Sequence, residues 1–181
     1  MRQLKHHEKR LLRKVDLYSW DGDENIRVAK ILRRYHIQKR DDYTSYNRIC
    51  GMVTKLAAKL KTLKQDDPFR IAMTDQLLQK LFDMGLITTK KSLLKAEELT
   101  ASALCRRRIP VVMVRMKMAE TVKAAVTFVE QGHVRVGPHV VTDPAFLVTI
   151  TMEDYVTWVD SSKIRRAVQK YNDKLDDFDL L

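Results

Sequence analysis

"RRRIPVVMVRMKMAETVKAAVTFVEQGHVRVG", Arg106–Gly137, is the stretch whose reading decides the fold. Val122, Ala125, Val126 and Val129 recur at three- and four-residue steps, which places them on one side of a helix over 120–131. Gly132 ends that helix, because glycine alone enters the left-handed conformation at little cost. Upstream, Pro110 can open a shorter helix with Val111, Val114 and Met118 inward and Arg115 and Lys117 outward. Downstream the period falls to two. Val134 and Val136 alternate with His133 and Arg135, and His139 follows a Gly137-Pro138 turn. The expected unit is two helices and a short bent sheet. Val134 and Val136 should pack on the helices, with Gln131, His133 and Arg135 pointing outward.

Working outward, "HVVTDPAFLVT" (His139–Thr149) suggests short strands with reverse turns, and "DYVTWV" (Asp154–Val159) a closing strand. A basic helix over 161–175 and an acidic "DDFDLL" tail follow. The first hundred residues read as helices only. Residues 2–18 form a basic arm or helix with Leu4, Leu11, Leu12 and Val15 as a broken apolar stripe, suited to ordering on RNA or on a partner. A turn is expected at Asp21-Gly22-Asp23, then a basic helical run over 25–36. In 40–63, Asp41 is the expected N-cap. Tyr43, Tyr46, Ile49, Cys50, Val53, Leu56, Ala57 and Leu60 supply helical periodicity, and Gly51 suggests a close helix contact. "DPFRIAMTDQLLQKLFDMG" (Asp67–Gly85) carries its own start and stop: an Asp cap, proline at the first helical position and a terminal glycine. Its Ala72, Leu77, Leu78, Leu81 and Phe82 should face the preceding helix as an antiparallel pair. Residues 86–99 read as a connection with modest structure. The fold class implied is α+β: an N-terminal helical region, then the small helix-and-sheet unit.

The charge is large and uneven. Across 181 residues, 34 Lys and Arg against 23 Asp and Glu give a net +11 and favour polyanion partners. Residues 1–64 carry 17 basic and 7 acidic groups, and residues 105–149 carry 7 and 3, whereas the other two segments are near neutral. Two contact surfaces follow, not a uniformly basic particle. No apolar run approaches a membrane span, and the charged N-terminus lacks the apolar segment of a secretory signal, so no membrane partner is expected. Cys50 and Cys105 have no CxxC partner and read as buried structural thiols of a reducing, intracellular compartment.

No catalytic constellation accompanies this charge. P-loop, GxGxxG, HExxH and GxSxG patterns are missing, and Glu120 and Glu130 stand too far apart to act as a carboxylate pair. His6-His7 reads as a solvated pair. No metal, cofactor or small-molecule substrate is expected. The candidate site is a basic face for RNA: Arg106, Arg107, Arg108, Arg115, Lys117, Lys123 and Arg135, with Gln131, His133 and His139 as further hydrogen-bonding groups. Guanidinium forks match phosphate oxygens, and the scarcity of aromatics predicts reading of shape and backbone over sequence. Neutralising about five phosphates predicts a log–log salt slope of roughly −3 to −5.

The Arg106–Gly137 stretch resembles the αL RNA-binding domain of the small-subunit ribosomal protein four family. An arginine-led helix start, a second helix and a Gly-His-Val-x-Val hairpin carry the likeness. Ile109 and Pro110 stand where such domains usually have Leu and Asp, and Ile150 stands where Arg is more frequent, which weakens a basic contact there. "KHHEKRLLRKVD" (Lys5–Asp16), "YHIQKRDDYTSYNRICG" (Tyr35–Gly51), "DPFR" (Asp67–Arg70), "AFLVT" (Ala145–Thr149), "MEDYVTWVDSSKI" (Met152–Ile164) and "DDFD" (Asp176–Asp179) extend it over nearly the whole chain. Together they resemble the Imp-three family of eukaryotic U3 small nucleolar ribonucleoprotein proteins.

That resemblance implies three parts: a basic arm and helical region (1–104), an αL-type RNA-binding domain (105–160), and a C-terminal helix with acidic tail (161–181). It implies a non-enzymatic assembly factor of the small-subunit processome in the nucleolus, which helps U3 small nucleolar RNA pair with pre-ribosomal RNA for early small-subunit RNA processing. The implied protein partners are the M-phase phosphoprotein ten subunit and a Brix-domain protein. Two other readings remain at this point: a structural ribosomal protein kept in the mature small subunit, and a scaffold that binds mainly protein through the helices at 41–82 and the acidic tail.

Overall fold

A computed structural model describes residues 2–14 and 22–174. The chain divides into two compact units, one ending at Arg34 and one beginning at Tyr35.

The first unit holds α1 (His6–Lys14) and α2 (Gly22–Arg34). Glu8 closes the first turn of α1 by accepting the backbone N–H of Lys5 at 2.8 Å and pairing with Arg2, which satisfies a donor that a helix start otherwise leaves unbonded. Leu4, Leu11 and Leu12 are exposed. The expected stripe residue Val15 lies outside the described residues, as do Asp21 of the expected turn and the "DDFDLL" tail. Gly22 and Asp23, expected in that turn, instead belong to α2.

The second unit begins with α3 (Arg40–Thr62). Lys39, not Asp41, is its N-cap; Asp41 and Asp42 sit in the first turn, where their charge complements the helix dipole. Tyr43, Tyr46, Cys50, Ala57 and Leu60 are buried, whereas Ile49 and Leu56 face outward. Gly51 meets open space, so no close helix contact explains it. In α4 (Pro68–Asp83) the Asp67 carboxylate accepts the Phe69 N–H at 2.9 Å, and Gly85 ends the helix with φ +70°. Leu78 and Leu81 are buried in α4, while Ala72 is exposed. The 86–99 connection contains one turn of helix, α5 (Leu94–Glu97), and α6 (Ala101–Arg106) follows. Besides α4, α3 packs on α5 and α6, so the expected two-helix pair is part of a larger helical layer.

The remaining elements are α7 (Ile109–Arg115), α8 (Val122–Glu130), β1 (Val134–Val136), β2 (His139–Val140), α9 (Ile150–Glu153), β3 (Val156–Trp158) and α10 (Lys163–Tyr171). The sheet is antiparallel in order β2-β1-β3, with Arg135 opposite Val140 on one side and Thr157 on the other. The α+β class and the closing strand agree with the sequence reading, as do the Gly132 stop (φ +73°) and the buried Ala125, Val126 and Val129 of α8.

Two details differ. The face of α7 is displaced: Val112 and Met113 are fully buried, while Val111, Val114 and Met118 are half-buried. The cause lies at the helix start, where the Ile109 N–H donates to Phe146 at 2.9 Å and the Val148 N–H donates to Arg107 at 2.8 Å, fixing the rotation of α7 against a distant segment. That segment, 146–148, forms only an isolated bridge to Arg108, because Asp143 and Pro144 turn the chain just before it. Ile109, Val112, Met113, Ala125, Val129, Val134, Val148 and Val156 form one core, roofed by an edge-to-face contact of Phe128 with Trp158 at 5.8 Å.

Candidate nucleic-acid interface

The three consecutive arginines have three different environments. Arg106 ends α6 and is exposed; its Nε donates to the Ser102 carbonyl at 3.3 Å. Arg107 is only 5% exposed. Its Nε donates to the Val148 carbonyl at 2.8 Å and its Nη1 to Glu153 at 3.3 Å. Arg108 is 3% exposed, and its Nη1 donates both to Asp42 and to the Tyr46 hydroxyl, each at 3.0 Å. The expected outward arginine face is therefore corrected: Arg107 and Arg108 point inward. Both join parts of the chain far apart in sequence, Arg108 tying α7 to α3 and Arg107 tying it to α9. Burial pulls the Arg107 pKa down from its ordinary value, though a guanidinium remains charged at any physiological pH. Burial likewise raises the Tyr46 hydroxyl, with Arg108 acting against it.

The other candidates stay at the surface. Arg115, at the end of α7, is 55% exposed and pairs with Glu153, the same carboxylate that Arg107 uses. Lys117 is exposed in a left-handed conformation, φ +61°, that turns the chain after α7. Lys123 and Gln131 are exposed at the start and end of α8, and His139 is exposed on β2. The hairpin members are less free than the alternation implied. His133 is half-buried, its Nδ1 within 3.0 Å of the Ser162 hydroxyl. Arg135 donates Nε to Thr157 at 3.1 Å and its fork to Asp160 at 2.7 and 3.3 Å. Asp160 also pairs with Arg165, so one exposed carboxylate is shared by two cations and a positive surplus remains. Val134 is fully buried and Val136 packs on the core, as expected.

Sequence reasoning missed the acids that organise these cations: Asp42, Glu153 and Asp160. For Asp160 a signal existed, since a strand at "YVTWV" paired with β1 puts Thr157 beside Arg135. For Asp42 and Glu153 none existed, because they stand 66 and 46 residues from the arginines they hold. The exposed set of Arg106, Arg115, Lys117, Lys123, Gln131 and His139 offers forked and point charges with little aromatic area. That suits phosphate contact more than base reading.

Residues 3–106 match the ribosomal protein S4/S9 N-terminal domain and residues 107–154 match the S4 domain. The chain is 54% identical over 180 residues to the U3 small nucleolar ribonucleoprotein protein IMP3 of Saccharomyces cerevisiae, covering 99% of this chain and 98% of that one. It is 53% identical over 181 residues to the human protein of that name, with the same coverage. The small ribosomal subunit protein uS4 of Picrophilus torridus is 26% identical over 146 residues, 80% of each chain. Full-length identity at this level, with an S4 domain matched over residues 107–154, places the chain in the IMP3 family of U3 small nucleolar ribonucleoprotein proteins.

Proposed function

We propose that this chain is a non-enzymatic RNA-binding assembly factor of the U3 small nucleolar ribonucleoprotein and the small-subunit processome. In this reading it acts in the nucleolus and promotes pairing of U3 small nucleolar RNA with pre-ribosomal RNA for early small-subunit RNA processing. The observation that carries the reading is the full-length likeness to proteins named as U3 small nucleolar ribonucleoprotein components. The physical contribution is charge. Two RNA strands that approach each other repel, and Lys and Arg on a rigid frame lower that cost by replacing condensed counterions. Residues 105–160 serve as the RNA-binding domain. Residues 1–104, with the exposed leucines of α1, and the C-terminal part at 161–181 dock the M-phase phosphoprotein ten subunit and a Brix-domain protein.

Binding to U3 RNA tests the RNA role. The exchanges Arg106→Glu, Lys117→Glu and Lys123→Glu together should weaken it at least tenfold at moderate salt while the chain stays folded. Unchanged affinity rejects the S4-domain face. A second reading, a structural protein kept in the mature small subunit, draws on the likeness to uS4. Sedimentation separates the two: an assembly factor travels with large pre-ribosomal particles and is missing from polysomes, whereas a ribosomal protein is found in both.

A further inference from the structure

A cleft of about 340 Å³ opens where the turn after α4 and the α5–α6 segment meet α7. Lys95, Arg106, Arg107 and Arg115 line it, against one lining carboxylate, Glu98. Glu98 is taken by Lys95 at 3.2 Å. Behind the cleft, Glu153 serves Arg107 and Arg115 at once. Four cations and two carboxylates leave a surplus of two positive charges. No carboxylate pairs with Arg106 among the described residues, and Arg107 Nη2 is buried without any hydrogen-bond partner. Buried polar atoms are nearly always satisfied, so this unpaired guanidinium nitrogen marks positive charge left uncompensated behind the cleft, which favours an anion in it. Leu86, Ile87 and Leu99 supply apolar lining that strengthens such a contact by lowering the local dielectric.

We infer that this cleft binds one phosphodiester group of the RNA backbone, held by the forks of Arg106 and Arg115, with the buried Arg107 supplying charge behind them. The inference rests on the RNA-binding reading above and gives it a place. An anion on Arg115 releases Glu153 to Arg107, so occupancy also relieves the sharing of one carboxylate between two guanidinium groups. Continuity favours RNA over an acidic peptide: Arg115 leads out of the cleft to exposed Lys117, a run of charge suited to successive phosphates. The site is composite. Residues 85–106 belong to the segment matching the S4/S9 N-terminal domain and Arg107 and Arg115 to the S4 domain, so neither part forms it alone.

The test uses the full-length chain and a short fluorescein-labelled RNA hairpin, with dissociation constants measured across a potassium chloride series. Arg106→Ala with Arg115→Ala should weaken binding and reduce the log–log salt slope by about one. Arg48→Ala, at an exposed position of α3, serves as the control for general charge. Glu153→Gln removes the competing carboxylate and should tighten binding roughly threefold, a gain that misfolding cannot produce. An unchanged slope in the double variant while the wild type binds RNA overturns the site, as does an equal loss in Arg48→Ala. A labelled polyglutamate peptide bound by the wild type and lost in the double variant, with RNA binding intact, overturns it in favour of an acidic peptide. Wild-type protein that binds no RNA strikes the RNA-binding reading itself, a separate failure.

Discussion

Two basic stretches, the arginine run at 106–108 and the hairpin at 131–139, look alike in sequence and do different work. In the run, two of three arginines are buried and spent on Asp42, Tyr46, Val148 and Glu153. In the hairpin, Gln131 and His139 are exposed, and Arg135 rests on Asp160, which is itself 62% exposed. A buried arginine commits its donors inside the fold, and only the part of its field that its acid leaves uncompensated, as at Arg107, reaches a neighbouring cleft. A surface arginine keeps most of its field in solvent and can exchange its partner for a phosphate. Charge counted along a sequence therefore overstates the charge available to RNA.

The largest effect that separates the stretches concerns Arg108. Arg108→Met leaves the Asp42 carboxylate without its guanidinium and should lower unfolding free energy by about 3 kcal/mol in urea titrations. A loss below about 1 kcal/mol would place Arg108 with the surface residues instead. Next in size is Gly85→Ala. A Cβ there meets Arg107 Cζ at 2.8 Å on a backbone with φ +70°, so a loss of about 2 kcal/mol is expected by the same measurement. A neutral result would mean that Arg107 moves aside freely.

Much of the fold was legible because its signals are local. The α8 valines, the Gly132 stop, the Asp67-Pro68 cap and the alternation in β1 each need only a few neighbouring residues. What escaped depends on pairing across the chain. The rotation of α7 is set by Phe146 and Val148, so counting from Pro110 chose the wrong valines. The fate of Arg107 and Arg108 is set by acids on α9 and α3. Lys117, Lys123, Gln131 and His139 are exposed, as local reading expects where no distant acid among the described residues pairs with them.

Cys105 lies just before the arginine run and gives the buried side a pH signature. Burial pushes its thiol from 9.0 up to about 11. The fold holds this group protonated more tightly than the unfolded chain does. Its contribution is therefore whole below pH 9 and is lost as pH rises through about 11. Cys105→Ala should abolish that part of the decline, with the raised Tyr46 hydroxyl common to both proteins. Parallel losses in wild type and variant would show that the thiol is not held this way. The smallest effect belongs to the hairpin: Arg135→Ala should cost less than about 1 kcal/mol, since Asp160 keeps Arg165 and water. A loss as large as that of Arg108→Met would erase the contrast.

The most direct measurement of the central claim, that exposed cations touch RNA while the buried pair holds the frame, is a residue-level ultraviolet crosslink map of the protein on U3 and pre-ribosomal RNA. The account predicts nucleotide adducts in the Arg115–Lys123 and Gln131–His139 segments and at Arg106, with none on Arg107 or Arg108. Adducts confined to the α3–α4 helices, or falling on the buried arginines, would contradict it.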